Sequence, residues 1–221
     1  MPVIKTLSLF AATALTASAA LTLNYEFAEA LTSSSTVVPA NTLWALVVDD
    51  GNNTFAGFGG DDSLFEANVT SPGVADTFFS ENQSIALGGV IGGGTIFALG
   101  GFTSSGATSG QLNLNLGENG LTTGNQFAFY WFPGATFTGG SSETIDDQVG
   151  GVHSSSTEGG LLTSGMVIPG DGTTESVGAF SVSQGGSTPN AAFTAVTLIP
   201  EPTTALLAAF GALGLLRRCR D

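Results

Sequence analysis

The sequence predicts a single all-β domain, an antiparallel β-sandwich of jelly-roll-like character. Three observations predict it. Apolar segments of four to eight residues recur through the interior, each bounded by Gly, Ser, Thr, Asn or Asp. Outside the two termini, no stretch of helical length repeats its apolar residues with a 3.6-residue period. Glycine supplies 32 of 221 residues, about twice the usual share of roughly 7%, a density that suits hairpins and bulges. A barrel or a β-solenoid would satisfy the same pattern.

In chain order, strands are expected over residues 21–27, 42–49, 54–58, 63–69, 84–87, 95–99, 111–116, 126–132, 161–168, 177–182 and 191–199. Gln111-Leu112-Asn113-Leu114-Asn115-Leu116 alternates strictly, so one face is buried and the other wet. Phe127-Ala128-Phe129-Tyr130-Trp131-Phe132 is apolar on both faces, as a central strand should be. Trp44, inside residues 42–49, reads as core. Asp50-Gly51-Asn52-Asn53 is a hairpin signal, because Asp-Gly accommodates the positive φ of a tight turn. Gly88-Gly89 and Gly92-Gly93-Gly94 flank Val90-Ile91 and read as a bulged or irregular connection. No Lys and no helical pattern follows those glycines, which argues against a phosphate cradle. Residues 103–110 and 139–158 read as surface loops.

The ends are addresses rather than fold. Lys5, the apolar residues 7–15 and Ala17-Ser18-Ala19 form the three parts of a secretory signal helix, with cleavage expected after Ala19 or Ala20. The expected organisation is therefore a signal peptide over 1–19, a β-rich secreted domain over 20–199 and a tail over 200–221. In the tail, Pro200-Glu201-Pro202 ends any strand, because proline lacks the N–H that a ladder needs. A short apolar helix over 203–216 follows, then the basic cluster Arg217, Arg218 and Arg220. At about 1.5 Å per residue that helix reaches about 21 Å, short of the hydrocarbon core of about 30 Å. Such a run serves a tail held briefly and then cut, with the arginines keeping it on the cytoplasmic side.

Triplet, apolar run and arginine end together resemble the PEP-CTERM sorting signal, which is read by an exosortase. The resemblance covers residues 200–221 together with the signal peptide. It implies signal peptidase and exosortase as processing enzymes and transient membrane anchoring. It also implies delivery from the inner membrane of a Gram-negative bacterium to its cell surface or extracellular polysaccharide matrix. Two features depart from the pattern: the apolar run is short, and Cys219 interrupts the basic cluster.

Charge narrows the function classes. The formal net charge is −14, and the four Lys and Arg residues are Lys5, Arg217, Arg218 and Arg220. Nucleic-acid binding is excluded as an expectation, since it depends on Lys and Arg neutralising phosphates. Phosphorylated ligands and anionic membrane surfaces are disfavoured for the same reason. The 18 carboxylates less Glu201 and Asp221 leave 16 in the secreted domain, facing no Lys or Arg. Loose condensation of cations is expected to relieve their repulsion. Asp49, Asp50, Asp61 and Asp62 are the candidates for a bound Ca²⁺, although neither loop completes a D-x-[DN]-x-[DN]-G pattern. No resident cofactor is expected. The single cysteine, Cys219, leaves the domain without disulfides or thiolate metal ligands.

Chemistry-bearing residues are sparse. His153 lies beside Ser154-Ser155-Ser156, with Asp146, Asp147 and Glu158 near, but the segment lacks a nucleophile elbow. Asp61-Asp62 and Asp146-Asp147 are adjacent in sequence, so on strands they would point to opposite faces rather than pair for glycoside hydrolysis. Tyr130 and Trp131 could offer rings to a sugar, yet the 16 Phe against 2 Trp and 2 Tyr point to core packing. The reading is an exported, non-catalytic surface or matrix protein associated with exopolysaccharide. Its alternative is a secreted glycan-binding, lectin-like module or a glycan hydrolase.

Overall fold

The computed structural model describes residues 20–28, 30–49, 51, 55, 79–153, 166–170, 172–180 and 195–198. The strands are β1 (Ala20–Ala28), β2 (Thr42–Asp49), β3 (Ser84–Ala86), β4 (Val90–Ile91), β5 (Gly94–Gly101), β6 (Thr108–Asn115), β7 (Phe127–Thr136), β8 (Ser142–Thr144), β9 (Gln148–His153), β10 (Thr174–Phe180) and β11 (Val196–Thr197). The chain is all-β. Its single helical element among the described residues is a 3-10 turn over Glu118–Gly120. The expected signal helix within residues 1–19 and the expected apolar helix over 203–216 lie outside the described residues.

The strands form a six-stranded sheet ordered β11-β9-β7-β2-β5-β4, a three-stranded sheet ordered β10-β1-β6, and the pair β3-β8. Pairing is antiparallel except for β1 and β10, which run parallel. That exception departs from the antiparallel expectation: β1 and β10 are neighbours in the sheet but lie about 150 residues apart in sequence, so no short hairpin dictates their relative direction.

Strands β2 and β7 are the centre of the six-stranded sheet, and β2 is buried at every position. One face presents Trp44, Leu46, Val48, Phe129 and Trp131 to Leu21, Leu23, Phe27 and Leu114 of the three-stranded sheet. The rings of Phe27 and Phe129 stack with centroids 3.8 Å apart, and Tyr25 meets Trp44 edge-on at 5.3 Å. The opposite face presents Leu43, Ala45, Val47, Tyr130, Phe132 and, from β9, Val149 to Phe79, Ile85 and Ile145, with Leu198 beside β11 in the same cluster. Each buried Val, Leu, Ile or Phe among them contributes about 1.5–3 kcal/mol on burial. The result is two facing sheets, with the β3-β8 pair and its flanking chain covering the far side.

One row across this sheet explains two glycines. Gly100, Trp44, Trp131 and Gly150 are consecutive cross-strand partners on β5, β2, β7 and β9. A Cβ at Gly100 would lie 2.3 Å from Trp44 Cζ2, and one at Gly150 would lie 2.2 Å from Trp131 Cε2. Each indole therefore lies outward across the glycine beside it. The two rings differ at their polar edge: Trp131 Nε1 donates to Leu31 O at 3.1 Å, whereas buried Trp44 Nε1 has no partner among the described residues.

Several expectations need correction. Residues 139–158 are not simply a surface loop, because they contain β8 and the buried strand β9. Gln148-Val-Gly-Gly-Val-His153 looks soft in sequence, but its Gly150 is required by the tryptophan on the next strand. Likewise β6 begins at Thr108, inside the expected loop 103–110. The irregular connection around Val90-Ile91 is a hairpin between β4 and β5, turned by Gly92 and Gly93 with φ of 61° and 91°. Positive φ at both central residues marks a primed hairpin turn. Of expected strand 161–168, the described residues form an isolated bridge between Val167 and Gln126 rather than a strand. Expected strands 54–58 and 63–69 lie outside the described residues apart from Phe55, which is buried.

Candidate functional site

Among the described residues the buried carboxylates and imidazole are Asp49, Glu143 and His153. Glu143, on β8, is an organiser of its own turn. Its Oε1 accepts from the Thr138 and Gly140 backbone N–H groups at 3.0 and 3.2 Å, and the Thr138 hydroxyl donates to the same carboxylate at 3.0 Å. Charge-assisted bonds from two amides and a hydroxyl hold a buried carboxylate in place.

Asp49 and His153 are the more interesting pair. Asp49 ends β2, its N–H donates to Gln126 O at 2.9 Å, and its parity places it on the face of Leu43, Ala45 and Val47. His153 ends β9 opposite Ala128, which lies on that same face. The sheet thus brings an acid and an imidazole to one end of one face, from the strands on either side of β7. Asp49 Oδ2 accepts from Gly51 N at 2.9 Å, closing the turn that leaves the strand. His153 Nδ1 lies 3.2 Å from Phe127 O, and a carbonyl only accepts, so Nδ1 carries the proton. Any acid–base or ligating role would fall to Nε2. The His153 ring sits against Phe55, with centroids 4.5 Å apart.

The Ser-His-Asp arrangement suggested by sequence proximity is not built with Asp146 or Asp147. Both precede β9 and His153 ends it, so a strand rising about 3.3 Å per residue separates them by roughly 20 Å. Asp146 and Asp147 occupy the bend between β8 and β9, where Asp146 Oδ1 accepts from Asp147 N at 2.9 Å. Ser154, Ser155, Ser156 and Glu158 lie outside the described residues, as do Asp50, Asp61 and Asp62. Among the described residues, no three His, Cys, Asp or Glu side chains come together as metal ligands.

The core-packing reading of Tyr130 and Trp131 holds, for the two residues are 0% and 1% exposed and offer no platform to a sugar. Tyr130 is instead a structural clamp, its hydroxyl donating to Gly92 O at 2.9 Å and its ring meeting Phe79 at 4.9 Å. Tyr25, between the facing sheets, is half-buried. Burial pushes its phenol above the usual range, and the Thr108 hydroxyl beside it pulls weakly the other way.

The sorting residues Pro200, Glu201, Pro202, Arg217, Arg218 and Arg220, and the cleavage residues Ala17 and Ala19, lie outside the described residues. Among the described residues no helix is long and apolar enough to cross a membrane. What the sequence pattern alone does not reveal is a polar array on the outer face of the three-stranded sheet. The Asn113 and Asn115 alternation signals one strand of it, but its partners on β1 and β10 emerge only from the register. Comparison with protein families, with characterised proteins and with solved structures finds no match to this chain.

Proposed function

We propose that this chain is an exported, non-catalytic component of the cell surface or extracellular matrix, sorted through its C-terminal segment by an exosortase. The observation that carries the proposal is the order Pro200-Glu201-Pro202, apolar residues 203–216, then Arg217, Arg218 and Arg220. Each part has its own physical role. The prolines detach the tail from the sheet, the apolar run enters lipid, and the arginines stop its passage. The signal pattern at the other end agrees with export. A β domain whose ionisable residues are nearly all acidic also agrees with life in a polymer matrix, because it resists collapse onto anionic chains.

The test is mass spectrometry of the protein recovered from producing cells with and without their exosortase. With the enzyme, the surface form is expected to end near Pro200-Glu201-Pro202. Without it, residues 203–221 are expected to remain on a membrane-retained form. A surface form that keeps Asp221 overturns the proposal.

A further inference from the structure

We infer that the outward face of the three-stranded sheet is a contact surface for a neutral, hydroxyl-rich polysaccharide. The inference rests on the matrix reading above for the presence of such a polymer and adds the surface and the chemistry that would meet it.

Register sets polar side chains in rows across β6, β1 and β10. One row is Asn113, Thr22 and Thr174, and the next is Gln111, Asn24 and Ser176. The rows are tied internally. Thr22 Oγ1 donates to Asn113 Oδ1 at 3.2 Å, Gln111 Nε2 to Asn24 Oδ1 at 3.2 Å, and Asn24 Nδ2 to Ser176 Oγ at 3.4 Å. Between these positions Leu21, Leu23 and Leu114 turn into the core, so the polar face cannot slip inward without exposing them. Neighbouring strands lie about 4.8 Å apart and successive rows about 6.7 Å apart, giving a shallow grid. Side chains already held by one another lose less freedom when a partner arrives.

Charge selects the occupant. Amides and hydroxyls both donate and accept, as a sugar hydroxyl does, and the bonds within the rows use part of that capacity. Neither row contains an ionisable group. Carboxylates flank them: Glu26 stands exposed further along β1, and Glu118 accepts from Asn115 at 3.2 Å beyond the other end. No Lys or Arg occurs between residues 6 and 216. An anionic polymer would meet the same hydrogen-bonding groups against the repulsion of the flanking carboxylates, with no Lys or Arg to offset it, whereas a neutral one meets them without that opposition. Exposed hydrogen bonds exchanged against water yield little each, so binding builds up through many contacts along a polymer.

The test is affinity electrophoresis of the full-length chain, in mild detergent, through native gels containing dextran, hydroxyethyl cellulose or alginate. Retardation is expected in at least one of the neutral gels and not in alginate. The triple variant Asn24→Ala, Gln111→Ala, Asn113→Ala is expected to lower the apparent affinity about ten-fold, the loss of two to three net hydrogen bonds. The double variant Asn24→Asp, Asn113→Asp keeps the side-chain shapes and is expected to weaken retardation too, which covers a folding failure of the first. Ser142→Ala, on β8, should leave retardation unchanged. The inference is overturned by no retardation in either neutral gel, by retardation in alginate alone, or by variants that bind as the parent does. It is also overturned if sedimentation shows a dimer that the variants dissolve, for then a second copy covers the face. Retained Asp221 in the surface form would sink the sorting proposal and leave this gel result standing.

Discussion

The central strands of the six-stranded sheet are buried on both faces and the three-stranded sheet on one, and that difference reaches into the spelling of their strands. Leu43–Val48 and Phe127–Phe132 are apolar without alternation, and every one of those positions is buried. β1 and β6 instead alternate, with leucines inward and amides or hydroxyls outward. A strand enclosed on both sides stakes stability on shape, so its tolerance to change is small. A strand enclosed on one side keeps half its positions open for contact with something else. The candidate binding face belongs to the second kind, and the structural tryptophans belong to the first.

The sharpest way to break this comparison is at the tryptophan row. Trp131→Ala should cost about 3–5 kcal/mol, the usual range for removing a large buried aromatic. Gly150→Ala should cost about 1–3 kcal/mol by overpacking, since a Cβ there collides with the indole. Urea unfolding of each variant measures both, and a Gly150→Ala midpoint equal to the parent's would show that the ring does not lie across β9.

A smaller effect is expected at Tyr25, where the two sheets meet. Its phenol titrates higher in the folded chain than the unfolded value of about 10. The folded form therefore holds that proton more tightly. Stability from this source is complete below about pH 10 and declines as the pH rises through the folded-state value. Tyr25→Phe should flatten part of the alkaline decline, seen as urea midpoints that fall less than the parent's between neutral pH and about pH 11. An unchanged decline would locate the alkaline sensitivity elsewhere.

The smallest effect belongs to the open face. Asn113→Ala removes one exposed hydrogen bond, from Thr22, and should shift stability by no more than about 0.5 kcal/mol. A loss several times larger in thermal or urea unfolding would mean that the rows hold the sheet together rather than await a partner.

Where a strand's fate depends on its own composition, it is legible in the sequence. Residues 42–48 and 127–132 announce themselves by unbroken apolar and β-branched content, and residues 111–116 by alternation. Legibility fails where the deciding contact comes from another strand. Gly150 looks like a loop residue until Trp131 is placed beside it, which is why β9 resembles a loop in sequence. The parallel pairing of β1 with β10 joins segments about 150 residues apart, so no local signal carries it. The candidate surface shows the same split, since the amides of β6 are visible as a wet face while their hydrogen-bonded partners require the register. Similarly, Asp49 and His153 share a face because β7 runs between their strands, a fact of topology alone.

The row Gly100, Trp44, Trp131, Gly150 also constrains how the protein is free to diverge. Each indole occupies the volume that its neighbour lacks, so the two members of a pair are tied by size rather than by chemistry. A bulkier residue at either glycine becomes acceptable once the facing ring shrinks, and a smaller ring leaves a hollow until the glycine grows. Change along this row would therefore arrive as swaps across two adjacent strands, with single replacements selected against in both directions.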